Sequence, residues 1–398
     1  MITSMSKKLS TQSYHAKPAL FTPRTIALLI GSWTVVGVFT LFGSSWMGDS
    51  MTPVVAGAIF LALFATILTA SFGVVGEADH LAEELGEPYG TLILTLSIVL
   101  IEVILIASVL LGPGENPTIG RDSIFAIMMI ILNLVMGICL IGGGLRNGDQ
   151  EFNAQGAITY LSMIMVLTGM ALVLPKFTSV ENQLTTTQAV GITGITAFVY
   201  VVFLWMQMRN RRRYFIQPPA GQMVVMPAAR GGHGGQVKAK APISAETKRA
   251  LLGRSLLLVS LILPIVLLAH HLAVVTDYGI AALGAPVAVG GVLIAIIVFT
   301  PESITAIKAA MNNEMQRAIN LCAGAFVSTV GLTVPAVLVI GMMTGKKVIM
   351  GISGMETVLL AITILLTAQT LNGQRTSPIQ GFLHIAVFAL FSLLLFYP

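Results

Sequence analysis

Long apolar runs separated by short polar breaks dominate this chain. The runs are roughly 20 residues long and do not alternate between apolar and polar positions. That pattern predicts helices able to cross a bilayer, not the strands of a barrel. Eleven spans are expected, at 25–44, 53–75, 88–111, 122–144, 157–175, 187–208, 251–274, 283–309, 318–343, 350–370 and 378–397. Short loops make successive spans antiparallel neighbours. The one long polar segment is 209–249, where Arg209, Arg211, Arg212 and Arg213 lead into a stretch rich in Gly, Pro and Lys that reads as a flexible linker. The chain thus divides into an N-terminus with a leading span (1–50), a five-span unit (51–208), the linker (209–249) and a second five-span unit (250–398). The expected fold class is an all-α polytopic membrane protein with about 11 transmembrane helices.

Composition agrees with this picture. Of 398 residues, 55% are hydrophobic and 10% charged, against about 25% charged in soluble domains. The two cysteines, Cys139 and Cys322, both fall inside apolar runs and offer neither a disulfide framework nor metal-ligand spacing. They read as packing residues. Residues 1–24 are basic and contain no acid. They read as a cytoplasmic flank and not as a cleaved signal peptide.

The formal charge of +5 is informative through its placement. It is not a nucleic-acid signal. With the N-terminus in the cytoplasm, 18 of the 22 Lys and Arg fall on the inside, leaving Arg121, Lys176, Lys346 and Lys347 outside. That asymmetry supports both the orientation and the span count, and it puts the C-terminus on the periplasmic or extracellular side.

Five is odd, so two related five-helix units must enter the membrane from opposite faces, as an inverted repeat. A recurring turn agrees. Leu85-Gly86-Glu87-Pro88 opens the third span and Leu283-Gly284-Ala285-Pro286 the eighth. Each run then carries one carboxylate deep in hydrocarbon, Glu102 and Glu302.

A carboxylate at mid-bilayer costs about 2.5–3.5 kcal/mol on insertion scales. No Lys or Arg lies at comparable depth, so the partners left are protons and metal cations. Protonated glutamates hydrogen-bonded between helices are the plain structural alternative. Thr91, Thr95 and Ser97 precede Glu102, while Thr300, Ser303 and Thr305 flank Glu302. Pro301 removes a backbone donor and frees carbonyls a turn back. Asn133 in the following span, and Ser328 and Thr329 in the ninth, add oxygens, although Ser328 also fits simple interhelical glue. Calcium takes six to eight oxygen ligands, which such a set with water could supply. The two acids titrate as a coupled pair. A cation favours their ionised form and so competes with protons. Competition combined with alternating access is exchange.

The motifs Gly76-Glu77-Ala78-Asp79-His80-Leu81-Ala82, Leu85-Gly86-Glu87-Pro88-Tyr89-Gly90, Pro301-Glu302, Asn312-Asn313 and Gln316-Arg317-Ala318-Ile319-Asn320-Leu321 resemble those of the bacterial ChaA-type sodium/calcium:proton antiporters. These form part of the cation/proton-exchanger branch of the calcium:cation antiporter superfamily. The resemblance covers about residues 25–397. It implies ten helices in two inverted repeats plus a leading helix, in a bacterial inner membrane. It also implies Glu102 and Glu302 as the ion and proton site, with Asn133 and Ser328 as polar residues of the following helices. The transported ions would be calcium or sodium, with potassium as a further candidate, exchanged for protons; no cofactor is implied. Val99 and Phe299 stand where the wider branch has an amide three residues before each Glu. An acidic linker is replaced here by a basic one.

The acids cluster instead at Glu77, Asp79, Glu83, Glu84 and Glu87, with His80. They read as a short amphipathic helix at the inner membrane surface that attracts cations or responds to pH, or as an ordinary solvated face. His270 and His271 read as interfacial, and Asp122 and Glu356 lie near span ends. A cation channel or uniporter using the same two carboxylates is the alternative function. An internal two-fold repeat favours a transporter over a ring built from several subunits. No nucleophile elbow, His-Glu-x-x-His or phosphate loop points to an enzyme.

Overall fold

The computed structural model describes residues 22–48, 51–85, 89–112, 114, 116–178, 183–208, 212–218, 245–373 and 375–397. Among these there are no strands, only two isolated bridges. The helices are α1 (Pro23–Trp46), α2 (Pro53–Leu85), α3 (Tyr89–Leu110), α4 (Ile119–Asn147), α5 (Ala154–Thr178), α6 (Thr186–Met208), α7 (Ala245–Leu283), α8 (Ala288–Met311), α9 (Met315–Thr344), α10 (Gly354–Leu371) and α11 (Pro378–Phe396). Ten candidate spans are long and apolar enough to cross a membrane, and α3 adds the shorter apolar stretch Thr95–Leu110. The protein is an all-helical, multi-pass membrane protein built on two inverted repeats, α2–α6 and α7–α11, behind a leading helix.

Local chemistry sets the helix ends. Thr22 caps α1, its hydroxyl accepting from the Thr25 amide, with Pro23 in the first turn. Ser353 and Glu356 form a reciprocal capping box at the start of α10, so Glu356 is a capping residue. Gly284 ends α7 with φ +61°, and the Ala285 amide donates back to the Ile280 carbonyl at 2.9 Å. Gly86, Glu87 and Pro88 of the first turn lie outside the described residues.

Loop contacts sort the connections into two sets. At one end, Asn147 and Gln150 after α4 donate to the Ala310 carbonyl at the end of α8, and Arg375 beyond α10 pairs with Glu151. Residues 212–218 join this set. The Gln316 amide donates to Gln217 Oε1 at 2.8 Å, and Asn320 Nδ2 donates to the Phe215 carbonyl at 2.7 Å. This seats the start of the linker on α9 and accounts for the Gln316–Leu321 motif. At the other end, the Ile349 amide donates to the Pro117 carbonyl and Arg121 donates to the Gly351 carbonyl. The described segments after α4, α6, α8 and α10 thus group at one end, and those after α3 and α9 at the other, as alternating spans require. Residues 1–21, 209–211 and 219–244 lie outside the described residues, and the last five linker positions, 245–249, already belong to α7.

The acidic segment is not a separate surface helix. No proline interrupts Val75–Leu85, Gly76 is accommodated, and α2 runs unbroken through the segment. There the buried Arg254 of α7 pairs with Glu77 at 3.0 Å and Glu84 at 3.4 Å. This ion pair joins the first helices of the two repeats, which pack along much of their length. Glu87 lies outside the described residues.

Candidate functional site

Both intramembrane carboxylates are withdrawn from solvent. Glu102 is fully buried (0% exposed) and Glu302 is 8% exposed. Each is carried across to the opposite repeat: α3 packs on the middle of α9, and α8 packs on the middle of α4. At both places the receiving helix widens into a π segment, Met129–Val135 in α4 and Thr329–Thr333 in α9. Such segments shift the register of a helix and recur at functional sites. Close approach of α8 to α4 depends on Gly291, where an added Cβ would lie 2.6 Å from the Ser123 amide nitrogen.

Thr329, the first residue of the α9 π segment, donates its hydroxyl to Glu102 Oε2 at 2.9 Å. Thr333, one turn along and fully buried, faces the same carboxylate without a well-formed hydrogen bond. Glu102 Oε1, Glu302 Oε2 and Thr333 Oγ1 are buried and have no hydrogen-bond partner. Glu302 lies within electrostatic reach of Glu102, and also of Asp79 on α2. Two like charges and an orphaned oxygen on each acid describe a place that needs protons or a cation.

The other expected residues fall into three groups. Ser97, Ser303 and Thr300 donate to carbonyls on their own helices, those of Ile93, Phe299 and Ile296. Their oxygens retain acceptor capacity, but their protons are engaged locally. Thr95 is partly buried on α3; the side chains of Thr91 and Glu83 lie outside the described set. Ser328 donates to the Gly324 carbonyl at 2.9 Å and receives the Tyr200 hydroxyl of α6 at 3.1 Å. Asn133 is fully buried, yet its amide is engaged away from the carboxylates, by Thr363 at 2.9 Å and His384 at 3.1 Å. Asp122 is held by Arg121 at 2.8 Å and by Thr118 at 2.7 Å. Glu77 and Glu84 are held by Arg254, while Asp79 and His80 share the same stretch of α2.

Sequence reasoning missed Thr333, Tyr200 and His384. His384 carried a usable signal: it is the lone histidine in the apolar run 378–397, which holds no Asp, Glu, Lys or Arg, and such a residue is a functional candidate by default. Tyr200 and Thr333 carried none: each is an ordinary residue of an apolar run, and Thr333 owes its direction to the π segment of α9.

A profile of the family described as "Sodium/calcium exchanger protein" matches twice, over residues 55–209 and 254–397, once in each repeat. A Sinorhizobium fredii protein, y4hA, is 33% identical over 377 residues, covering 93% of this chain and 97% of its own. The Escherichia coli sodium-potassium/proton antiporter ChaA is 32% identical over 351 residues, covering 88% of this chain and 92% of its own. Among solved structures, that of YfkE, a Ca2+/H+ antiporter, has the same fold with a TM-score of 0.69 at 17% identity, covering 94% of this chain and 100% of that one. With two matched halves, an inverted repeat and a carboxylate carried across from each, the chain belongs to the sodium/calcium exchanger family, whose members are membrane transporters and not enzymes.

Proposed function

We propose that this protein is a secondary active antiporter that moves calcium or sodium, with potassium as a third candidate, out of the cell in exchange for protons. The observation that carries this reading is the carboxylate pair. Glu102 and Glu302 come from opposite repeats, are buried, and each keeps an oxygen without a protein partner. The buried Arg254 is engaged by Glu77 and Glu84. A site holding two negative charges in hydrocarbon is neutralised by two protons, by one divalent cation or by two monovalent cations. Protons and cations exclude each other, and either leaves the site electrically balanced. Rocking of one repeat against the other then exposes the pair to alternate sides, so a proton gradient drives cation export.

Relatives support several cargoes. The E. coli relative is a sodium-potassium/proton antiporter and the YfkE fold is that of a Ca2+/H+ antiporter. Val99 and Phe299 supply no amide beside the acids, which favours a site of modest selectivity over a strict calcium cage. The positive-inside pattern supports a cytoplasmic N-terminus and a C-terminus on the outer side, and the likeness to the E. coli antiporter supports a bacterial inner membrane. Asp79 of α2, within electrostatic reach of Glu302, then adds negative charge on the inner side of the site.

Everted membrane vesicles carrying the protein test this. With the lumen acidified by respiration, addition of calcium, sodium, potassium or magnesium is followed with a pH-sensitive dye. Antiport gives proton release that depends on the added cation. Cation flux without proton movement identifies a channel or uniporter instead.

A further inference from the structure

A second buried polar system lies outside the carboxylate pair and is not used by the mechanism above. His384 of α11 is fully buried in the apolar interior. Its Nδ1 faces Asn133 Oδ1 at 3.1 Å, and its Nε2 faces the Thr370 hydroxyl of α10 at 3.0 Å. Asn133 in turn donates through Nδ2 to Thr363 Oγ1 at 2.9 Å and more weakly to Met129 Sδ at 3.6 Å. Thr367 donates to the Thr363 carbonyl at 2.7 Å. An amide oxygen only accepts, so Nδ1 carries the ring proton, and Nε2 is left to accept from Thr370. Every partner is satisfied by a neutral imidazole.

The location gives this chain its meaning. Met129 and Asn133 both belong to the α4 π segment, whose widened turn lies against α8, the helix of Glu302. The segment is therefore held by α10 and α11 while it also packs against the Glu302 helix. We propose that His384 is a positioning residue for the transport site: by holding the Asn133 amide it fixes the π segment of α4 against which the Glu302 helix is seated. This inference rests on the carboxylate-pair reading above. It assigns Asn133 a supporting role, as the residue through which His384 acts.

Removal of partners that orient ligands from behind commonly lowers cation affinity about 10–100-fold. His384→Leu keeps the bulk and removes both hydrogen bonds. In proteoliposomes, at equal amounts of folded protein, its apparent KM for the transported cation should rise about tenfold, with the maximal rate falling less than the affinity. His384→Asn retains a donor near the Nδ1 position and should restore the KM to within about threefold of the parent. Asn133→Leu should raise KM similarly, and the double variant should be no worse than either single one, because both break the same clamp. Unchanged KM in His384→Leu, with loss only of folded yield or thermal midpoint, overturns the proposal. So does failure of His384→Asn to restore KM when it folds normally. Glu102→Gln and Glu302→Gln run alongside separate the two ideas. If either retains full exchange, the carboxylate reading fails; if both are inactive while His384→Leu keeps parental constants, only the clamp fails.

Discussion

Thr329 and Glu102 lie 227 residues apart and in opposite repeats, yet the threonine hydroxyl donates to the carboxylate at 2.9 Å inside the bilayer. This bond ties the acid of one repeat to the π segment of the other. It also places a hydroxyl near the acid whose preceding turn carries Val99 and no amide. Thr329→Val removes a charge-assisted bond worth about 1.5–3 kcal/mol. The expected result is a rise of about tenfold or more in apparent cation KM, with Thr329→Ser close to the parent, both measured by transport in proteoliposomes.

Proton competition sets the sign of the pH response. Protonated carboxylates are neutral and hold no cation, so acidification on the cation-binding side weakens cation binding. Apparent KM should rise as pH falls, by up to about tenfold per unit for each proton displaced, while saturating cation restores the initial rate. Uptake assays across a pH series check this. A KM independent of pH would leave exchange without its competitive step.

Arg254 is the buried cation that neutralises Glu77 and Glu84 where α2 meets α7. Arg254→Met leaves buried carboxylates unpaired, a change that costs about 3–5 kcal/mol. The expected outcome is a marked drop in thermal midpoint in detergent, read from intrinsic fluorescence. Combining it with Glu77→Gln and Glu84→Gln should recover part of the loss.

Gly331 lies in the α9 π segment against the Tyr200 ring, where an added Cβ would fall 2.6 Å from a ring carbon. Gly331→Ala should therefore push Tyr200 off Ser328 and disturb the Thr329 contact, lowering both stability and cation affinity. Overpacking of this kind typically costs about 1–3 kcal/mol. Tyr200→Leu in the same chain makes room, and should return the thermal midpoint toward the parent.

Much of this architecture was legible in residue order alone. The eleven spans followed from run length, and the inverted repeat followed from an odd count of spans on each side of the linker. Glu102 and Glu302 stood out because an isolated acid in hydrocarbon has few explanations. The structure altered one reading and added two features, each for a reason that linear order conceals. The acidic segment reads as a surface helix because Arg254, the partner of Glu77 and Glu84, comes from the other repeat. The partners of Asn133, Thr363 and His384, lie 230 and 251 positions away, so its link to α10 and α11 is hidden in the sequence. The π segments leave no sequence mark, and they decide which threonines face the carboxylates.

The most direct test of the central claim is proton release on cation binding. Purified protein in weakly buffered detergent is titrated with calcium and with sodium while pH and bound cation are recorded. Competition at one carboxylate pair predicts that protons leave as the cation binds, and that Glu102→Gln and Glu302→Gln each abolish both binding and release. Cation binding without proton release in the parent, or undiminished release in either Gln variant, would contradict it.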